Sequence, residues 1–169
     1  MQNNPMKKLL LLIITLTLAF SPLVSCQEPP QHQTYQATVR DISDREYEPA
    51  VIDLLDNAKE SIVISMYIIK PSQKGPVALL LNDLAEALER GVAVDIYLNT
   101  KSTYNDDYTD ERKALFDQLE GKGAGIYEVD STYRHHDKVI IVDSRFVVEG
   151  STNWSVSALK SNFESDTLI

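Results

Sequence analysis

His136-Asp137-Lys138-Val139-Ile140-Ile141-Val142-Asp143 is the stretch whose reading decides the fold. Ser144 to Glu149 follow it, then Gly150-Ser151-Thr152-Asn153-Trp154-Ser155, and the segment closes on Asn162-Phe163-Glu164. Side chains alternate along a strand, so His136 and Lys138 share one face. Val139 to Val142 shows no polar alternation, which predicts a strand buried on both faces. A nucleophile and a cation therefore stand side by side at the mouth of a rigid strand. The next apolar run, Phe146-Val147-Val148, leads into Gly150-Ser151-Thr152-Asn153, a turn that offers a hydroxyl and an amide. Phosphoryl transfer needs such parts: a nucleophile, a fixed positive charge, and neutral donors aimed at phosphate oxygens.

Taken singly, His136 reads as an ordinary strand-end histidine and Lys138 as a surface charge. Taken as a set with Ser151, Asn153 and Glu164, they read as a catalytic constellation. His135-His136-Asp137 hints at a metal, but neighbouring strand residues point to opposite faces. With three histidines and one cysteine in the chain, a metal site is the weaker reading.

The spacing resembles the signature of the phospholipase D superfamily, His-x-Lys-x4-Asp followed by Gly-Ser-x-Asn. His136, Lys138, Asp143, Gly150, Ser151 and Asn153 match it, and Glu164 falls where the family has a glutamate after a second asparagine-containing turn. The resemblance runs from about Thr38 to the C-terminus. It is strongest to small, single-motif bacterial members, secreted endonucleases among them.

Moving outward, the first 25 residues carry Lys7 and Lys8 and no acid, then an apolar run from Leu9 to Phe20. The run is short for a membrane span and long enough for an export signal. Leu23-Val24-Ser25-Cys26 looks like a lipobox, with cleavage before Cys26 and acylation of that residue. An ordinary signal with a chance cysteine is the plainer alternative. Cys26 is the sole cysteine, so it makes no internal disulfide. Gln27 follows it where an aspartate would favour inner-membrane retention. The expected location is lipid-anchored to the cell envelope, at the outer membrane facing the periplasm if the cell has one. Residues 26–36 are polar around Pro29-Pro30 and read as a tether; residues 37–169 form the folded domain. Beyond residue 25 the chain has 14 basic and 25 acidic residues, a net −11. That charge repels polyanions at long range, and a local basic cleft can overcome it.

Within the domain, Ala37 to Arg40 reads as a first strand, and Asp44 as an N-cap. Tyr47 to Lys59 has helical apolar spacing, and Ser61 to Ile69 is a branched and aromatic strand. Pro71 to Pro76 is a loop. Val77 to Arg90 is a helix closed by Gly91, and Val92 to Leu98 a strand with Asp95 as a polar interruption. Lys101 to Asp110 is a loop with two tyrosines among acids. Glu111 to Leu119 is a helix, Ala124 to Val129 a strand, and Ser131 to His135 a loop in which Arg134 adds a cation. After the Gly-Ser-x-Asn turn come a short helix, Val156 to Lys160, and a strand from Glu164. Alternating strands and helices call for an α/β fold: a mostly parallel mixed sheet flanked by helices.

The resemblance implies a phospholipase D-like half domain that cleaves phosphodiesters through a phosphohistidine. Two histidines are required, one to attack phosphorus and one to protonate the leaving oxygen. With one set per chain, a homodimer joins two His136 residues, or a longer chain carries a second set. Related domains continue with a further strand and helix, so a short domain and a fragment both stay open. In this scheme Lys138 neutralises phosphate oxygens. Asn153 and Ser151 donate to them or to a neighbouring side chain, and Glu164 orients His136. Asp143 belongs to the signature and reads as structural at the strand's far end. Trp154 reads as a packing residue. No cofactor or metal is required. A phospholipid substrate at the membrane is slightly favoured over nucleic acid; an exported metal-independent endonuclease is the alternative, and an inactive remnant or tethered binding module a third.

Overall fold

The computed structural model describes residues 34–70, 73–99, 110–129 and 135–169. Cys26, the export signal and most of the tether lie outside them. So do Pro71, Ser72, nearly all of the Lys101–Asp110 loop, and Arg134. A compact unit runs from Ala37 to Ile169.

Its elements alternate. β1 (Arg40–Asp41) is followed by a 3-10 turn, Asp44–Glu46, and by α1 (Tyr47–Asn57). β2 (Ser61–Met66), α2 (Pro76–Glu89), β3 (Ala93–Asn99), α3 (Asp110–Gly121) and β4 (Gly125–Val129) form the repeating part. β5 (Lys138–Val142), β6 (Phe146–Gly150), α4 (Val156–Lys160) and β7 (Asp166–Leu168) complete it. Pro76 sits in the first turn of α2, where its missing N–H costs nothing. Ser155 caps α4 through a bond from the Ala158 amide.

The seven strands form one sheet in the order β1-β7-β6-β5-β2-β3-β4. β2, β3 and β4 run parallel, as helical crossovers demand. The other four pairings are antiparallel, so the sheet is mixed but not mostly parallel. The difference arises at β5, which enters beside β2 in the reverse direction and turns straight into β6. That turn is closed by the Arg145 amide on the Val142 carbonyl, with Asp143 and Ser144 both left-handed at φ 53° and 51°.

One face of the sheet holds the core. Ile62, Ile64 and Met66 of β2, Val94, Ile96 and Leu98 of β3, and Ile140 and Val142 of β5 are buried. Helix residues such as Leu55, Leu84, Phe116 and Leu159 join them in a single cluster. Burying each such side chain is worth roughly 1.5–3 kcal/mol. The opposite face is only half covered. Val139 and Ile141 are therefore half-buried and not fully enclosed as the unbroken apolar run predicts, because the helices of the described residues pack on the other side. On that open face Asp95 finds its reason. It stands opposite Gly125, and the Tyr127 ring folds over that glycine to reach it. The carboxylate pushes the Tyr127 phenol's pKa up.

Two local expectations change. The first strand is Arg40–Asp41 alone, and Asp44 does not cap a helix. Asp44 is left-handed instead, at φ 55°, and its carboxylate accepts from the Glu164 amide at 2.7 Å. Among the described residues no helix is long and apolar enough to cross a membrane.

Candidate active site

The His-x-Lys pair sits where β5 begins. Lys138 is the first residue of the strand, paired with Met66, and the residue is 8% exposed. His136 stands just before the ladder and is exposed. The Lys138 ammonium lies 3.3 Å from His136 Nδ1 and 3.4 Å from Nε2, and donates to the His136 carbonyl at 2.9 Å. It also hovers 5.0 Å from the centre of the Tyr67 ring, a cation–π distance. The same ring lies 4.4 Å from the His136 imidazole, tilted by 46°. Burial lowers the Lys138 pKa, and the charges of Asp137 and Glu164 only partly oppose it.

His136 and Lys138 line an open cleft of about 460 Å³, together with Asp137, Val139, Glu149, Gly150, Ser165 and Thr167. Gly150 makes this wall possible. A Cβ there would meet the Ser165 carbonyl oxygen at 2.3 Å. The glycine of Gly-Ser-x-Asn is thus needed for close approach of β7.

Ser151 and Glu164 meet beside that wall. The Ser151 hydroxyl donates to Glu164 Oε2 at 2.5 Å and accepts from the Ser165 amide at 3.0 Å. Asn162 donates to Glu164 Oε1 at 2.9 Å. Of the two roles open to the serine, the neighbouring side chain is the one seen. Both glutamate oxygens are engaged on their own turn, and the carboxylate's influence at the cleft is its charge acting on Lys138. Asn153 is half-buried next to Trp154, with Oδ1 buried and accepting no hydrogen bond from the described residues.

Asp143 is elsewhere. It lies at the far end of β5, where its carboxylate accepts from the amides of Lys59, Glu60 and Ser61 at 2.7–3.1 Å. Those bonds hold its pKa below the usual carboxylate range and pin the β5–β6 turn to the start of β2. Trp154 is fully buried, and its indole N–H donates to the Tyr47 hydroxyl at 3.2 Å.

Sequence reasoning missed two supports. Asp166 is buried and takes the Thr152 amide at 3.1 Å and hydroxyl at 2.5 Å, which braces the turn carrying Ser151 and Asn153. Burial raises the Asp166 pKa in spite of those bonds. Tyr67 was legible only as an apolar strand residue; nothing in its spacing marks it as the floor beneath His136.

An open mixed sheet with this pair at the mouth of its reversed central strand defines a domain of the phospholipase D-like class. Residues 51–169 match the family model described as "Cardiolipin synthase, PLD-like domain", and the chain belongs to that family. It is 34% identical over 122 residues to a phospholipase D of Rickettsia typhi, covering 70% of this chain and 52% of that protein. It is 32% identical over 119 residues to the major cardiolipin synthase of Bacillus subtilis, covering 70% of this chain and 23% of that one. The chain thus spans about half the length of the rickettsial relative, 52%. Among solved structures it resembles the phospholipase D family member Nuc from Salmonella typhimurium. The TM-score is 0.64 and the identity 27%, over 78% of this chain and 82% of that chain. NucT from Helicobacter pylori shares the fold at a TM-score of 0.61 and 17% identity, over 78% of this chain and 84% of that one.

Proposed function

We propose that the protein is a phosphodiesterase that works through a phosphohistidine at position 136. The observation that carries this is the Lys138 ammonium held 3.3–3.4 Å from both ring nitrogens of an exposed histidine in an open cleft. A phosphodiester seated there places its non-bridging oxygens on the ammonium, which neutralises the charge that develops as phosphorus is attacked. A ring nitrogen of His136 forms the P–N bond while the P–O bond to the leaving alcohol breaks. The alcohol oxygen takes a proton from a second imidazole, His136 of the partner subunit in a two-fold dimer. That imidazole then removes a proton from water, whose oxygen displaces the histidine from phosphorus. An alcohol in place of water gives transfer. Ser151 and Glu164 brace the wall of the cleft, and Asn153 supplies an amide toward the phosphate.

A phospholipid headgroup ester is the favoured substrate. The relatives named phospholipase D and cardiolipin synthase support it, as do a net −11 charge beyond residue 25 and the lipobox-like run Leu23-Val24-Ser25-Cys26. Metal-independent endonuclease action is the second reading, favoured by the single His-x-Lys set. The test is the full-length protein in EDTA with phosphatidylglycerol vesicles, plasmid DNA and bis(p-nitrophenyl) phosphate. Headgroup release by wild type, lost at least about 10³-fold in His136→Ala, is expected. DNA cleavage with intact lipid would move the substrate to nucleic acid. Equal rates in wild type and His136→Ala would end the phosphohistidine reading.

A further inference from the structure

Residues 135–137 precede the β5 ladder, so the backbone on either side of His136 needs another anchor. Three contacts from the end of β2 supply it. Ser65 Oγ lies 3.0 Å from His135 Nε2. The same hydroxyl donates to Asp137 Oδ2 at 3.1 Å. The Tyr67 amide donates to the Asp137 carbonyl at 2.7 Å. A serine hydroxyl has one proton. Given to Asp137, it leaves the oxygen to accept from His135, which places a hydrogen on Nε2 of that ring. The triangle closes with His135 Nδ1 3.8 Å from Asp137 Oδ2, too far for a hydrogen bond.

From this geometry we infer that Ser65, His135 and Asp137 form a bracket that positions His136. One oxygen ties the residue before the nucleophile to the residue after it. The bracket lies on the open face of the sheet, where Ser65 sits between Val139 and Tyr97. Lys138 pairs with the buried Met66 and so stands on the other side. Asp137 also borders the cleft; the part played by all three is to fix the main-chain torsions of His136, and thereby the direction of its ring. The His135-His136-Asp137 triplet, unexplained by metal binding, acquires a purpose: alternate residues serve the bracket and the middle one serves the reaction. This inference rests on His136 being the nucleophile.

The test compares Ser65→Thr with Ser65→Val in the full-length chain. Both substitutes are β-branched and suit a strand; they differ in hydroxyl against methyl. Headgroup release and the order parameter of the His136 amide are measured together. The bracket predicts kcat lowered about tenfold or more in Ser65→Val with KM unchanged, and the His136 amide loosened, because small misplacements of a reacting group are costly. Ser65→Thr should restore both to within about threefold of wild type. If Ser65→Val matches Ser65→Thr in kcat and in order parameter, the bracket is refuted. A chain in which His136→Ala keeps full activity defeats the nucleophile reading separately, and the amide measurement then decides the bracket alone.

Discussion

Replacing Gly150 by alanine should unfold the site from its wall. The new Cβ would sit 2.2 Å from Asp166 Oδ1, 2.3 Å from the Ser165 carbonyl oxygen and 2.7 Å from Asp166 Cα. Comfortable carbon contacts begin near 3.5 Å, so β6 and β7 must part by about 1 Å. Overpacking costs about 1–3 kcal/mol, and the upper end applies where main chain has to move. The same parting stretches the Thr152–Asp166 bonds and the Ser151–Ser165 bond. A loss of about 3 kcal/mol corresponds to a melting point lowered by roughly 10 °C in a domain of this size. Gly121, the last residue of α3, has no atoms near a built Cβ, so Gly121→Ala should be neutral or stabilising by up to about 1 kcal/mol. Fluorescence of the buried Trp154 follows urea and thermal unfolding of both variants. If Gly150→Ala melts within about 2 °C of wild type, the close-approach reasoning is wrong.

Lys138→Met should remove activity by about 10³-fold or more while leaving stability unchanged or raised by up to about 1 kcal/mol, since it relieves a buried charge. Because the folded-state pKa of Lys138 is lowered, the unfolded chain binds the extra proton between the two values; wild-type stability should rise with pH as Lys138 discharges, toward 10.5, and Lys138→Met should lack that rise in urea titrations. Asp143→Ala should lose about 1–2 kcal/mol by urea unfolding and leave headgroup release nearly intact, because its bonds serve the β2 end and not the cleft. Its depressed pKa gives a stability contribution present above the unfolded carboxylate value of 3.8 and lost as pH falls through the lower folded value; acid unfolding of Asp143→Ala should show a shallower slope there.

The pairing of His136 with Lys138 was readable because period 2 places them side by side, whereas Glu149, Ser165 and Thr167, which line the same cleft, carried no signal in the sequence. The alternation of strands and helices up to Val129 was equally plain, since amphipathic spacing and strand residues switch cleanly. Pairing direction was not. Nothing local in Lys138–Val142 says that it runs against β2, because the partner lies more than seventy residues away. Likewise the hydrogen bonds of Ser65 and Asp44 join segments far apart in the chain, and short polar residues look alike until the fold brings them together. Asp95 looked like a flaw for the same reason; its partner Tyr127 stands on the next strand.

The edge strand carries a consequence for how the molecule is made. Arg40 pairs with Leu168, and Asp44 receives the Glu164 amide, so β1 and the turn after it are matched to residues more than a hundred positions later. A chain leaving the ribosome can settle β2, β3 and β4 early, from neighbours close in sequence. Glu164 comes into register only when β7 docks, after a loop of well over a hundred residues has closed. Copies in which β7 has yet to dock would carry His136 and Lys138 without the braced wall.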